Sequence, residues 1–181
     1  MRIVKSICFV LLIFIGIISV FLIFGEKSRF SKNPMAALSA IVNQGNVDEL
    51  TLTIFYMSPA IMTGTPVSVA SLMREYDNLG GKKIVIEGSE LKEHIDLFER
   101  MSNTEPISVD GEFRIDARIY YVFRSKSGRR VLDIAMWGYQ DKASTIIMNG
   151  IGVEENDIYY EIIAPFLIEE EARFFIQHVL N

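Results

Sequence analysis

Two histidines, one cysteine and 23 acidic side chains are the first groups to test for chemistry in this 181-residue chain. His94 lies four residues from Glu90 and beside Glu93, in a stretch with helical apolar spacing. Zinc chemistry wants a third and fourth ligand at short spacing, or an HExxH pair, and neither is present. His178 stands three residues before the C-terminus, near Phe174, Phe175 and Val179, and reads as a histidine at the negative end of a helix. Cys8 falls inside a long apolar run, and no Gly-x-Ser-x-Gly elbow offers a serine nucleophile. Gly80-Gly81-Lys82-Lys83 lacks phosphate-loop spacing and reads as a turn before a strand. Glu154, Glu155, Asn156 and Asp157 lack the spacing and central glycine of a calcium loop and read as a solvated acidic turn. On these grounds no catalytic residue, metal ligand or cofactor is assigned, and a non-enzymatic role is favoured.

Two groups point to binding instead. Arg124, Lys126, Arg129 and Arg130 surround a Ser127-Gly128 turn, where they are suited to anionic headgroups or an anionic wall polymer. The plainer reading is solvated charge that discourages strand aggregation. Arg114, Arg118, Tyr120, Trp137 and Tyr139 fall on one face of the strands flanking that turn. Arg, Trp and Tyr are the residue types that anchor binding hot spots. They also form cross-strand pairs that merely stabilise an exposed sheet.

The strands that position these residues follow from period-two alternation. From Phe113 to Arg124 the odd positions are apolar, and the even ones are mostly charged, as in an antiparallel strand with one solvated side. A two-residue turn at Ser127-Gly128 places Phe123 opposite Leu132, Tyr121 opposite Ile134 and Ile119 opposite Met136. On the other face it places Val122 opposite Asp133, Arg118 opposite Trp137 and Arg114 opposite Asp141. A register shifted by one would bury charge.

Further strands are expected over 50–57, 82–87 and 145–148, the last turning at Asn149-Gly150. Helices are expected after Asn33-Pro34 up to Gly45, after a Ser68 cap, after a Ser89 cap as far as Asn103, over 157–164 with Asn156 as cap, and over 169–180. The class is α+β, an antiparallel sheet with helices packed on one face.

Composition places the domain. Ser6 to Gly25 are 20 consecutive uncharged residues, mostly Ile, Leu, Val and Phe. At about 1.5 Å per residue such a helix spans a hydrocarbon core of about 30 Å. The run exceeds a signal-peptide core, and Phe24-Gly25-Glu26-Lys27 is a poor cleavage context. The expected organisation is a transmembrane anchor over 1–25, a polar linker over 26–33 and a single domain over 34–181. The 156 residues after Gly25 carry all 23 acids and only 16 bases, a net charge of −7 that disfavours nucleic acid as a partner. Two bases precede the run, and Lys27, Arg29 and Lys32 follow it, so charge alone leans towards a cytoplasmic domain. A short N-terminus before a long apolar run is how export begins, and the domain is expected outside the cytoplasm.

Tyr120-Tyr121-Val122-Phe123, Ala135-Met136-Trp137-Gly138, Met148-Asn149-Gly150, Asn156-Asp157-Ile158-Tyr159-Tyr160 and Pro165-Phe166-Leu167 carry a resemblance. Over most of 50–167 the chain resembles an uncharacterised family of small, singly membrane-anchored proteins of Gram-positive gut bacteria. The resemblance implies an envelope-associated α+β domain and brings no activity or catalytic residue with it. The expected function is therefore a membrane-tethered extracytoplasmic binding or accessory domain, its partner a protein, peptide or envelope polymer. The alternatives are an envelope hydrolase using acidic residues and a cytoplasm-facing membrane adaptor.

Overall fold

The computed structural model describes residues 33–58, 60–110, 115–136 and 146–167. The expected anchor over 6–25, the helix over 169–180, and Arg114, Trp137, Tyr139 and His178 lie outside the described residues. Among the described residues, no helix is long and apolar enough to cross a membrane.

Six strands form one antiparallel sheet: β1 Leu50–Tyr56, β2 Lys82–Glu87, β3 Ile119–Ser125, β4 Arg130–Met136, β5 Ile146–Met148 and β6 Ile151–Val153. Their spatial order is β2-β1-β3-β4-β5-β6. Alternate side chains of the central strands enter the main core. Leu52 and Ile54 from β1, Tyr121 and Phe123 from β3, and Leu132 and Ile134 from β4 are all fully buried there. Helices α1 Ala36–Asn43, α3 Gly88–Lys92, α4 Ile95–Ser102 and α5 Ile158–Glu161 cover this side with Leu38, Leu91, Phe98 and Ile158. The α+β class and the antiparallel sheet are as the sequence implies.

Helix ends are set by local chemistry. Asn33 Oδ1 accepts from Met35 N at 2.8 Å before α1. The helix closes with Gly45 N donating to Val42 O and Asn46 N to Ile41 O. That pairing needs a left-handed residue, and Gly45 supplies it at φ +71°. Ser68 caps α2 (Val69–Glu75) through its side chain, as expected. Ser89 is not a cap. Helix α3 already begins at Gly88, where a side chain would run into the Asp48 carbonyl. The single helix expected from there to Asn103 is two, broken at Glu93-His94. Asn156 Oδ1 accepts from Ile158 N, but α5 stops at Glu161, and Pro165 sits inside a 3-10 turn over 164–166 rather than ending a helix.

The β3–β4 pairing has Phe123 opposite Leu132, Tyr121 opposite Ile134, Ile119 opposite Met136 and Val122 opposite Asp133, as read from the pattern. The turn differs. Gly128 N donates to Ser125 O and Ser125 N to Arg129 O, with Gly128 at φ +78°. This is a three-residue loop with a left-handed glycine, not a two-residue turn. Its offset would slip the register by one, but the pairing shifts back between Arg124 and Phe123, at a bulge that holds Val131. Both Val131 and Leu132 then face the main core. Without the bulge, Asp133 would be carried to the core side.

Two further expectations are corrected. The strand does not run from Phe113; among the described residues it begins at Ile119. Ala117 and Ile115 pack with Tyr120 and Val122 rather than with Ile119. The second face is also not solvated along its length. Met57, Val67 and Leu72, from the segment holding α2, form a second apolar cluster with Phe55 of β1 and with Tyr120, Val122 and Ala135. Helices therefore lie on both faces of the sheet.

Candidate functional site

The residues proposed from sequence as a binding face divide into two groups. Arg114, Trp137 and Tyr139 lie outside the described residues. Arg118 and Tyr120 are described and are buried, at 5% and 4% exposure. They do not form an open surface, because the 57–79 segment covers them.

Arg118 leaves the strand geometry just before β3. Its backbone N donates to Met136 O, and its carbonyl accepts from Met57 N. The guanidinium is committed to the loop that follows β1. Nε and Nη2 donate to Asp116 Oδ2 at 3.2 and 2.7 Å, Nη1 to Ile61 O at 2.8 Å, and Nη2 to Thr63 Oγ1 at 3.1 Å. A longer contact from Nη1 reaches Met57 Sδ at 3.8 Å. A guanidinium has five N–H donors, and these five contacts use them. The other carboxylate oxygen, Asp116 Oδ1, accepts from Val67 N at 2.6 Å. The pair is thus a staple that fixes both ends of the 57–67 loop. Met62, at its tip, stands 96% exposed.

Tyr120 points to the same face and donates to Asp133 Oδ2 at 2.9 Å. Arg130 Nη1 reaches that oxygen at 2.8 Å. Burial, and then the Asp133 carboxylate, hold the Tyr120 hydroxyl well above its ordinary value of 10.0. It is a neutral donor to a carboxylate at any physiological pH. Asn149, in a left-handed conformation at φ 48°, extends the network. Its Oδ1 accepts from Asp133 N at 2.9 Å, and its Nδ2 donates to Pro34 O at 3.0 Å. Sequence reading missed Asp116 and Asn149 in these roles. An Asp two residues before an Arg, and an Asn-Gly turn, were the only local signals.

The basic group around the β3–β4 turn is where the pattern placed it. Arg124, Lys126, Arg129 and Arg130 are all exposed. Arg124 Nη1 donates to Gly128 O at 3.1 Å, which leaves most of that guanidinium facing solvent. Lys126 Nζ is 4.0 Å from Glu49 Oε1, a loose surface contact. Backbone contacts hold the turn itself: Lys126 N donates to Glu49 O at 3.0 Å. The result is a fixed platform carrying four cations.

His94 occupies the N-cap position of α4 without a capping hydrogen bond from its side chain, and its ring meets Phe166 edge-on at 5.2 Å. Glu155 Oε1 accepts from the Tyr160 hydroxyl at 2.8 Å. Among the described residues, no group of three or more His, Cys, Asp or Glu side chains could hold a metal ion.

No known family, curated protein or solved structure matches the chain.

Proposed function

We propose that this protein is a membrane-tethered, extracytoplasmic binding or accessory domain, and that its contact surface is the β3–β4 hairpin tip. The observation that carries this reading is a division of labour among the polar groups. Inside the fold, the Arg118–Asp116 pair and the Tyr120–Asp133–Arg130 network hold loops and strands together. At the tip, Arg124, Lys126 and Arg129 face solvent from a rigid turn, beside a half-exposed Arg130. A fixed backbone spares the cost of ordering the loop on binding and leaves only the side chains to be ordered, which favours recognition.

The 20-residue uncharged run over 6–25 supports the tether. The hydrolase alternative requires converging carboxylates. Asp116 and Asp133, the two acids drawn into the second face, are each engaged by an arginine.

Alkaline-carbonate extraction combined with protease treatment of intact protoplasts tests the reading. The chain is expected to stay with the membrane and to lose its domain to external protease. Release into the wash, or digestion only after lysis, would overturn it.

A further inference from the structure

The path by which the chain enters the domain selects one end of the sheet. Gly25 closes the apolar run, and Asn33 opens the described domain eight residues later. Eight residues reach at most about 29 Å. Just past Asn33, Pro34 O accepts from Asn149 Nδ2, Asn149 Oδ1 accepts from Asp133 N, and Asp133 pairs with Arg130. Three linked contacts therefore join the first residues of the domain to the base of the cationic hairpin. The Asn149-Gly150 turn points to the same end of the sheet as the β3–β4 turn, set back from it to the level of Asp133, in the middle of β4.

Charge adds a second, independent constraint. From Asn33 onward the chain carries 13 basic and 22 acidic side chains, a net of −9. Four of those 13 bases fall between Arg124 and Arg130. An acidic body held close to an anionic surface is repelled by it, except where it presents cations. Screening confines the effect to charges within about 8–10 Å of the surface. Of the acids at this end, Asp133 is 8% exposed and engaged by Arg130 and Tyr120. The exposed Asp48, Glu49 and Glu87 lie to one side of the tip, before β1 and at the end of β2, where Thr51 pairs with Arg124 on one edge and Glu87 on the other. The linker residues Lys27, Arg29 and Lys32 carry the same sign as the tip.

We infer that the hairpin tip docks on anionic lipid headgroups of the bilayer in which the same chain is anchored, with Arg124, Lys126 and Arg129 as the contacting cations. This inference rests on the tethered reading proposed above. Docking converts a short polar linker into a two-point attachment and fixes which surface of the domain faces outward.

The test uses the full chain, with Cys8→Ser and a fluorophore on Ser127→Cys, reconstituted in vesicles that contain a headgroup-labelled quencher lipid. Vesicles of phosphatidylcholine alone are compared with vesicles that also contain phosphatidylglycerol. Quenching is expected only with phosphatidylglycerol, and high salt is expected to reverse it. Each basic residue near an anionic leaflet multiplies the ratio of docked to undocked protein by roughly five. Lys126→Glu with Arg129→Glu is therefore expected to lower the ratio of docked to undocked protein roughly 25-fold or more. Equal quenching in both vesicle types, with the chain retained through a carbonate wash, would overturn the docking and leave the tether standing. Release of the chain by the wash would overturn both. Loss of quenching on adding soluble poly(glycerol phosphate) at equal phosphate concentration would assign the tip to a polymer and overturn the lipid assignment.

Discussion

Tyr120 and Asp133 lie diagonally across the β3–β4 pairing on the second face of the sheet, the phenol donating to the carboxylate at 2.9 Å. The contact ties the covered part of that face to the cationic hairpin, because Arg130 binds the same oxygen. Tyr120→Phe removes one charge-assisted hydrogen bond but leaves the Arg130 pair, so it is expected to cost about 1.5–3 kcal/mol. Asp133→Ala removes both partners and is expected to cost more. Urea unfolding of the two single variants and the double variant measures the coupling; strictly additive effects would contradict a shared network.

Arg118→Ala is expected to destabilise by about 3 kcal/mol, the low end for breaking a buried pair, because Asp116 keeps 23% of its side-chain exposure. Arg118→Lys is expected to recover only part of this, since an ammonium cannot reach Asp116, Ile61 O and Thr63 together. Limited proteolysis provides the second readout. Cleavage between residues 58 and 67 should accelerate in both variants while the β3–β4 hairpin stays resistant.

Phe123→Ala is expected to cost about 3–5 kcal/mol. Phe123 is fully buried and meets the rings of Phe98 at 5.5 Å and Tyr121 at 5.8 Å, both edge-on. A thermal melt of the full chain that shows almost no change would mean the faces of β3 are reversed.

Alkaline pH is expected to unfold the domain. Burial raises the hydroxyls of Tyr120, Tyr121 and Tyr159 above the ordinary 10.0. Above pH 10 the unfolded chain loses these protons while the folded one keeps them, so stability falls as pH rises. The stabilisation is intact below about pH 10 and is lost towards the raised folded values, at a slope of up to about 1.4 kcal/mol per pH unit for each tyrosine. Unfolding followed alongside absorbance at the tyrosinate band should show these rings ionising only as the fold is lost. Ionisation of all tyrosines before unfolding would contradict their burial.

The pairing of β3 with β4 was legible because side chains alternate strictly and any one-residue slip buries a charge. The turn was not. Ser127-Gly128 fits a two-residue loop, and only the bulge holding Val131 lets a three-residue loop deliver the same strand pairing. The cover over Arg118 and Tyr120 was hidden for a different reason. It is a Pro- and Gly-rich loop without periodicity, and the residues it joins to Arg118 lie 55 and 57 positions away. Alternating charge on Arg114, Asp116 and Arg118 resembles a solvated face until a partner from elsewhere in the chain arrives. The link from Asn149 to Pro34 spans 115 positions and leaves no local trace. The cationic tip was legible because it is local: four bases around one glycine turn.

We propose the hairpin tip, and not the face holding Arg118 and Tyr120, as the surface this protein presents to a partner. Hydrogen–deuterium exchange of the full chain in bilayer discs, anionic against zwitterionic, follows both surfaces in one measurement. Exchange is expected to slow in the anionic discs across 124–130 and to stay unchanged across 57–67 and 115–120. Slowing confined to 57–67 and 115–120, or no difference at the tip, would contradict it.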